Sequence, residues 1–291
     1  MSNTGTYTLL LDTSSLMYRA FYALPSTMVD EDGHPINAVH GYLDMTARLQ
    51  REYEPDELIH VFDADWRPAG RVERYPPYKA DRPEEPEDLT PQFTLLRRVL
   101  DACGLPLVEA PDWEADDAIG TLCAQGKAHE RFDIVTGDRD LLQLVQDESE
   151  GGPTIRVLYT VRGVSNLALF DEAAVTEKYG VPPQRYVDFS ILRGDPSDGL
   201  PGVKGIGEKT AAKLIQTYPT LDALLDDMES QTPRMAQNLQ AAKEYIATMF
   251  DIVPIRQDVA ITKVQLDPNQ EAIEQLKENY RLSGPFGRLG I

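Results

Sequence analysis

Three apolar segments of the sequence each end on, or just before, an aspartate. The segments and their aspartates are residues 6–12 with Asp12, 57–63 with Asp63 and 131–138 with Asp138. Segments with helical periodicity alternate with them, at residues 41–53, 90–102 and 113–129. Strands that alternate with helices form a parallel sheet, and the carboxyl ends of its strands open on the side where ligands bind. The pattern therefore predicts a doubly wound, mainly parallel α/β fold with aspartates at one edge.

A second concentration of acids lies at the start of the predicted helix 113–129. Glu114, Asp116 and Asp117 fall within four residues, and apolar residues recur behind them at helical spacing. Acids at a helix N-terminus complement its dipole without any further role. Capping does not require three of them, however, and a divalent cation such as Mg²⁺ or Mn²⁺ would relieve their repulsion through carboxylate oxygens. The sequence leaves helix capping and metal binding as two explanations.

The alternation of strands and helices is interrupted after Asp63 by a proline-rich stretch. This stretch interleaves basic and aromatic side chains, among them Arg71, Tyr75, Tyr78, Lys79 and Arg82. Such a mixture is typical of phosphate contact combined with base stacking, whereas the alternative is a solvated loop stiffened by proline. Because the stretch directly follows Asp63, we expect it to overhang the carboxylates.

A glycine-rich segment at residues 202–207 precedes a predicted helix that begins at Glu208. Gly205 and Gly207 allow a tight turn whose backbone N–H groups face a phosphate. Lysines flank the turn, namely Lys204, Lys209 and Lys213. No Rossmann-type strand precedes the segment, which disfavours a nucleotide loop. The pattern indicates a helix-hairpin-helix that holds the DNA backbone.

The chain is acidic overall, with a formal net charge of −20 over 291 residues. A typical nucleic-acid binder is basic, so DNA binding would depend on local basic segments and on metal ions that neutralise the acids. The beginning of the sequence lacks a basic leader and a long apolar run, and we expect no signal peptide, no membrane contact and a cytoplasmic location. Cys103 and Cys123 are expected to be reduced, and the histidines lack ligand spacing.

Six motifs resemble those of the bacterial 5′ nucleases of the flap endonuclease family, and they occur in order over roughly residues 7–280. This family includes the N-terminal domain of DNA polymerase I. The motifs are LD at 11–12, VFDA at 61–64, YKADRP at 78–83, EADD at 114–117, TGDRDL at 136–141 and GDPSDGLPGV at 194–203. The resemblance, to a stand-alone member, implies a PIN/5′-nuclease-like core over residues 1–180, with a helical arch insertion at about 66–100. Residues 181–291 would form the helix-hairpin-helix region and C-terminal helices, with a mobile tail.

The resemblance implies a structure-specific nuclease that cleaves 5′ flaps and removes nucleotides from 5′ ends of DNA in replication and repair. Two or more Mg²⁺ or Mn²⁺ ions are expected in its site. The implied ligands of the first ion are Asp12, Asp63, Glu114 and Asp116, and those of the second are Asp138, Asp140, Asp195 and Asp198. Asp116 and Asp117 would lie between the ions through water. The expected substrates are DNA with a 5′ flap, nick, gap or 5′ end.

The resemblance also implies roles for basic residues and for the hairpin. Arg19, Lys79 and Arg82 match the catalytic residues that meet the scissile phosphate. A K⁺ site is implied at the carbonyls of Gly202, Val203 and Ile206, with the Ser197 hydroxyl. The expected DNA-binding residues are Tyr75, Tyr78, Arg71, Lys204, Gly205, Gly207, Lys209 and Lys213. A monomer is expected, with a DNA polymerase or ligase as candidate partner. Gly70 and Gly199 depart from the family, whose members often have an aromatic residue and an asparagine there.

Three other functions remain open from the sequence. A non-catalytic DNA-junction module would share the hairpin but would not need so many acids. A PIN-type ribonuclease would share the acidic sheet but would lack the hairpin. A phosphohydrolase of small molecules is less compatible, because an aspartyl-phosphate nucleophile needs another local pattern.

Overall fold

The computed structural model describes residues 5–148 and 151–291. Its strands are β1 (Tyr7–Asp12), β2 (Glu57–Phe62), β3 (Leu107–Glu109), β4 (Arg131–Thr136), β5 (Thr154–Thr160), β6 (Leu167–Phe170) and β7 (Thr262–Val264). They form one sheet in the order β6-β5-β4-β1-β2-β3-β7. The five central strands are parallel, and β6 and β7 are antiparallel edge strands. The mainly parallel α/β sheet is confirmed.

Twelve α-helices surround this sheet. They are α1 (Thr13–Ala23), α2 (Asn37–Tyr53), α3 (Ala69–Arg74), α4 (Thr90–Cys103), α5 (Ala115–Ala124), α6 (Glu172–Tyr179), α7 (Tyr186–Arg193), α8 (Glu208–Thr217), α9 (Leu221–Asp226), α10 (Pro233–Met249), α11 (Gln270–Asn279) and α12 (Ser283–Leu289), as counted in the described residues. None of the described helices is both long and apolar enough to cross a membrane.

The strand residues alternate between two apolar cores, one on each face of the sheet. Leu9 and Leu11 of β1 belong to the core that includes residues of α1, α2, α4, α11 and α12, whereas Leu10 belongs to the core that includes residues of α5 to α10. Burial on both faces explains why β1 reads as a continuous apolar run rather than as an alternating pattern. Because the strands are parallel, their carboxyl ends meet at one edge, and that edge positions the site.

The structure corrects several predicted elements. The helix predicted at 113–129 is only α5, with Glu114 at its N-cap position, and residues 140–144 form a 3₁₀ turn. The insertion after Asp63 contains the short helix α3 followed by turns. Beyond α10 the sequence indicated helices alone, but β7 pairs with the edge strand β3. The tail expected to be mobile is packed, because Phe286 of α12 is buried in the core with α2.

Candidate active site

The carboxyl ends of β1, β2 and β4 open into a cavity of about 930 Å³. Six of the nine candidate carboxylates line it: Asp12, Asp63, Glu114, Asp116, Asp138 and Asp195. The basic candidates Arg19, Lys79 and Arg82 line the same cavity. Asp140 and Asp198 lie close enough to Asp138 for their charges to affect its surroundings. Acids from distant parts of the chain therefore converge at the edge of the sheet.

Hydrogen bonds from the backbone and hydroxyls orient the aspartates that follow β1 and β2. Asp12 accepts from the Ser15 N–H at 3.1 Å and from the Thr136 hydroxyl at 2.6 Å. Asp63 accepts from the Ala115 N–H at 2.8 Å and from the Ser14 hydroxyl. Asp12 is thus the N-cap of α1 as well as a cavity residue, so capping and a role in the site are compatible at this position.

A second group of acids comes from the end of β4 and from the loop after α7. Asp138 accepts from the Asp140 N–H at 2.8 Å, and the Asp138 N–H donates to the Thr136 hydroxyl at 2.8 Å. Asp195 accepts from the Ser197 N–H at 3.0 Å, which fixes the turn that carries Asp198. This turn brings acids separated by about sixty residues of sequence next to each other.

Burial and mutual repulsion raise the pKa values of four of these carboxyls. Burial is the main cause at Asp12, whose pKa is raised to about 7, and nearby Asp63 contributes. Burial also raises the pKa of Asp116, with Asp138 and Asp12 adding to the shift. The pKa values of Asp138 and Asp140 are raised by burial and by neighbouring acids. Closely spaced buried anions are unfavourable without a cation, which is the electrostatic character of a metal site.

A buried ion-pair network corrects three expectations, one about Asp117 of α5 and two about residues of the insertion. Both Asp117 oxygens accept from Arg71, at 2.7 and 2.8 Å, and one also accepts from the Arg256 N–H at 2.9 Å. Asp117 is 0% exposed and therefore not placed to contact ions in the cavity. Arg71 is 6% exposed and Tyr78 is also buried, with its hydroxyl donating to Glu114 at 2.7 Å. Both were expected to contact DNA, but they bind the protein's own acids instead.

Two other basic residues of the insertion, Lys79 and Arg82, do line the cavity. Lys79 is paired with Glu114, and its Nζ lies 4.0 Å from Asp198 Oδ2. Arg82 donates to Asp198 Oδ1 at 2.7 Å. From the opposite wall, Arg19 donates to the Thr160 carbonyl at 2.8 Å. Together they add positive charge to the lining of the cavity that also holds the carboxylates.

Gly199, one of the departures from the family, has a structural explanation. Its φ of +73° lies in the left-handed region, which glycine and asparagine adopt most readily. A Cβ there would lie 2.4 Å from the Pro77 carbonyl oxygen, and the Lys79 N–H donates to the Asp198 carbonyl at 2.9 Å. Glycine thus allows the insertion to pack closely on the turn that carries Asp198. At Gly70 a Cβ would meet open space, so nothing in the structure explains that departure.

The glycine-rich segment forms an exposed turn before α8. Gly205 has a φ of +80°, and Gly207 is the N-cap residue. Lys204, Lys209 and Lys213 are exposed, and Lys178 from α6 shares a shallow cavity with the last two. Of the carbonyls expected to bind K⁺, that of Val203 accepts from the Ile206 N–H at 2.9 Å. The Ser197 hydroxyl bonds Asp195, and Tyr75 is half-buried beneath Gly199, so the roles expected for them stay predictions.

The carboxylates supply the oxygen ligands of a metal site, but they are not arranged in a coordination geometry. Within residues 5–148 and 151–291, no three His, Cys, Asp or Glu side chains already converge as ligands of one ion. Glu114 is turned toward Arg71, Tyr78 and Lys79, and Asp198 toward Arg82. Protein cations and donors therefore occupy oxygens that the sequence assigned to metal ions.

Sequence reasoning missed several residues that shape this site. Ser14 and Thr136 orient the strand-end aspartates, and Arg139 and Arg193 approach Asp195. Arg139 lies between the motif residues Asp138 and Asp140, and Arg193 lies two residues before Asp195; these positions were the available signal. Serine and threonine at strand ends are too common for their role to be visible in the sequence.

The chain is similar to known proteins along nearly its whole length. The family model "5'-3' exonuclease, N-terminal resolvase-like domain" matches residues 7–180, and "5'-3' exonuclease, C-terminal SAM fold" matches residues 181–279. A 5'-3' exonuclease of Streptomyces coelicolor is 44% identical over 301 residues, covering 97% of this chain and 98% of that protein. DNA polymerase I of Mycobacterium bovis is 40% identical over 257 residues, which are 88% of this chain but 28% of the polymerase.

Solved structures share the fold at low sequence identity. The bacteriophage T5 D15 flap endonuclease, in a complex with DNA and metal ions, has a TM-score of 0.68 and 16% identity, covering 98% of this chain and 100% of that chain. The T5 5'-exonuclease with zinc bound has a TM-score of 0.67 and 18% identity, covering 98% and 99%.

Proposed function

The chain belongs to the 5′-3′ exonuclease family, and on that premise we propose that it is a divalent-metal-dependent, structure-specific 5′ nuclease acting on DNA. It would cleave 5′ flaps and remove nucleotides from 5′ ends, nicks and gaps in replication and repair. Family models that together span residues 7–279 support the nuclease activity. Their junction supports a division into a nuclease core over residues 1–180 and a helix-hairpin-helix region over 181–291.

One observation carries the proposal: carboxylates and basic side chains from separate motifs share one cavity. Asp12, Asp63, Asp116 and Asp138 face the same space as Lys79 and Arg82. A non-catalytic junction module has no use for buried anions that repel each other, because they oppose folding and phosphate binding alike. The cavity is therefore suited to cations and a phosphodiester together.

The acids fit divalent ions by chemistry, since they supply carboxylate oxygens in a buried and mutually repulsive group. Ligation by Asp12, Asp63, Glu114 and Asp116 in one group, and by Asp138, Asp140, Asp195 and Asp198 in the other, is proposed. Mg²⁺ or Mn²⁺ bound there would activate water and stabilise the attacking and leaving oxygens of the phosphodiester. Asp117 is left out of this proposal because it is fully buried, and both its oxygens are bound to Arg71 at a distance from the cavity that Glu114 lines.

The basic residues would bind and orient the scissile phosphate. Lys79 lies between Glu114 and Asp198, and its ammonium group would stabilise the negative charge that increases in the transition state. Arg82 and Arg19 on either side would hold phosphate oxygens, and Arg82 can form two parallel bonds through its guanidinium.

The exposed turn before α8 would hold duplex DNA by its backbone. Lys204, Lys209 and Lys213 supply sequence-independent phosphate contacts, with the N–H groups of Gly205 and Gly207. A K⁺ ion bound to carbonyls near Gly202 would assist. We also propose a monomer that works in the compartment holding DNA, next to a DNA polymerase and a ligase acting on the same strand.

The test compares a 5′-flap duplex, a nicked duplex and single-stranded DNA of the same sequence, each with Mg²⁺, with Mn²⁺ and with EDTA. The flap duplex should be cut in either metal and left intact in EDTA. Asp138→Asn should abolish cleavage. Glu229→Gln changes an exposed acid on the 3₁₀ turn at residues 228–230 and should cleave like the wild type.

Other outcomes would support the rival functions. Tight flap binding without cleavage in either metal would indicate a junction module. Preference for RNA of the same sequence would indicate a PIN-type ribonuclease, and phosphate release from small esters without DNA would indicate a phosphohydrolase.

A further inference from the structure

A buried arginine that the proposed mechanism does not use lies behind the second group of acids. Arg193 is the last residue of α7, and its side chain is 8% exposed. Its Nη2 lies 3.6 Å from Asp195 Oδ2, and its Nη1 lies 3.8 Å from Glu208 Oε1. Neither terminal nitrogen makes a hydrogen bond to any described residue. The guanidinium therefore faces Asp195 and Glu208 at ion-pair distance without a direct hydrogen bond to either carboxylate, and its charge acts on both.

A second arginine approaches the same two carboxylates from the more exposed side. Arg139 Nη2 lies 3.4 Å from Asp195 Oδ2, and its Nη1 lies 4.0 Å from Glu208 Oε1. Its side chain is 40% exposed. Two guanidinium groups therefore flank the carboxylate of Asp195, which is a proposed metal ligand.

The two groups of acids differ sharply in their countercharges. In the second group, arginines pair with Asp195 and with Asp198, which Arg82 contacts at 2.7 Å. In the first group, Glu114 pairs with Lys79 and with Arg71, and Arg71 is shared with Asp117. Asp12, Asp63 and Asp116 form no ion pair with any described lysine or arginine. Hydroxyl and backbone N–H donors hold Asp12 and Asp63 instead. The second group is therefore the less negative surrounding for a divalent cation.

A hydrogen bond and a tight loop hold Arg193 beside Asp195: the Arg193 Nε–H donates to the Gly194 carbonyl at 3.0 Å. Asp195 and Leu200 exchange backbone hydrogen bonds of 2.9 and 2.8 Å across the loop. Gly194 and Gly202, with φ of +77° and +66°, let the two sides of the loop meet so closely that a Cβ at Gly194 would lie 2.5 Å from the Gly202 nitrogen. Arg193 immediately precedes this loop, so its charge is a fixed part of the second group.

We propose that Arg193 is a positioning residue that acts through Asp195 and lowers the affinity of the second carboxylate group for its divalent ion. This inference rests on the proposed nuclease function. A positive charge next to a metal-binding carboxylate opposes a second cation, because like charges in a partly buried site are weakly screened. The negative charge of a bound DNA phosphate would offset Arg193, so that the ion is held firmly when substrate is present.

The test measures Mn²⁺ binding to the whole chain without DNA, by the electron paramagnetic resonance signal of free Mn²⁺. The wild type should bind two ions with different affinities. Arg193→Met removes the charge but keeps most of the side chain. It should raise the affinity for the more weakly bound ion by roughly tenfold and leave the affinity for the other ion unchanged. Arg193→Lys keeps the charge and should bind both ions within about twofold of the wild type.

Arg139→Met covers the case in which Arg193→Met fails to fold, because Arg139 is more exposed; it should also tighten the weaker ion. Glu208→Gln removes the negative charge next to Arg193 and should lower the affinity for the weaker ion. Glu229→Gln and Arg234→Met, both at exposed positions, serve as matched controls and should change the affinity for neither ion. Opposite signs for Arg193→Met and Glu208→Gln distinguish a charge effect from structural damage, which would weaken both.

The outcomes separate this inference from the function on which it rests. Suppose that the wild type binds two Mn²⁺ ions while both methionine variants bind the weaker ion with unchanged or lowered affinity. That result would overturn the role of Arg193 but not the nuclease function. Failure of the wild type to bind Mn²⁺ would overturn the metal-dependent function and this inference with it.

Discussion

The buried network of Arg71 gives the sharpest prediction about stability. Arg71 joins α3 to α5 by two hydrogen bonds to Asp117, at 2.7 and 2.8 Å, and by an ion pair with Glu114. Its guanidinium also lies 5.7 Å from the ring of Trp113. Arg71→Met keeps most of the side-chain stem but removes the charge. Asp117, which is 0% exposed, would retain only the Arg256 N–H at 2.9 Å.

The expected loss follows from leaving a buried carboxylate without its partner. Breaking a buried pair by removing one member typically destabilises a protein by roughly 3–5 kcal/mol. Glu114 keeps Tyr78 and Lys79, so Asp117 is the carboxylate that is stranded. Neutralising it as well, in Arg71→Met with Asp117→Asn, should recover about 1–2 kcal/mol of that loss, the penalty of an unsatisfied buried group.

The measurement is urea unfolding followed by both circular dichroism and tryptophan fluorescence, since coincident curves are needed before a single free energy of unfolding is assigned. Arg74→Met is the matched control. Arg74 lies on the same helix and pairs with Asp251 at 2.6 Å, but both side chains are more than half exposed. Such a surface pair contributes about 0–1 kcal/mol. If Arg71→Met destabilised the protein no more than Arg74→Met, the network would not stabilise the fold as argued.

Three further predictions concern pH, charge repulsion and catalysis. His60 is buried and its pKa is lowered to about 3 by burial, so its contribution to stability is complete above pH ~6.5 and is lost as pH falls toward 3, at about 1.4 kcal/mol per pH unit. When pH is lowered from 7 to 5, the free energy of unfolding measured in urea should fall by more, or rise by less, in the wild type than in His60→Gln, because the raised pKa values of site acids such as Asp12 and Asp116 stabilise both proteins alike as pH falls; equal changes in the two proteins would contradict it. Asp116→Asn should abolish cleavage yet raise the melting temperature of the metal-free protein, because it removes repulsion from Asp12 and Asp138; a lowered melting temperature would count against the repulsion. Lys79→Ala should slow single-turnover cleavage by roughly a hundredfold or more while DNA affinity changes little, and a defect in affinity alone would remove Lys79 from the chemical step.

Local patterns in the sequence determined much of the fold. The apolar runs before Asp12, Asp63 and Asp138 correspond to β1, β2 and β4, because a strand buried on both faces must be apolar along its length. The parallel order then places the strand-end aspartates in one cavity, since parallel strands share the edge at which they end. The glycine-rich turn before α8 was also visible, because its backbone conformation needs glycine at Gly205.

Which partner each charged side chain contacts depends on tertiary packing and could not be predicted from the sequence. Arg71 and Arg82 belong to one basic segment, yet one is buried against Asp117 while the other reaches the cavity. A guanidinium binds a buried carboxylate and a phosphate through the same donors, so its sequence context cannot tell the two apart. The edge strand β7 was not predicted, because its three largely exposed residues carry no apolar pattern. Its pairing with β3 exists only once the sheet has formed.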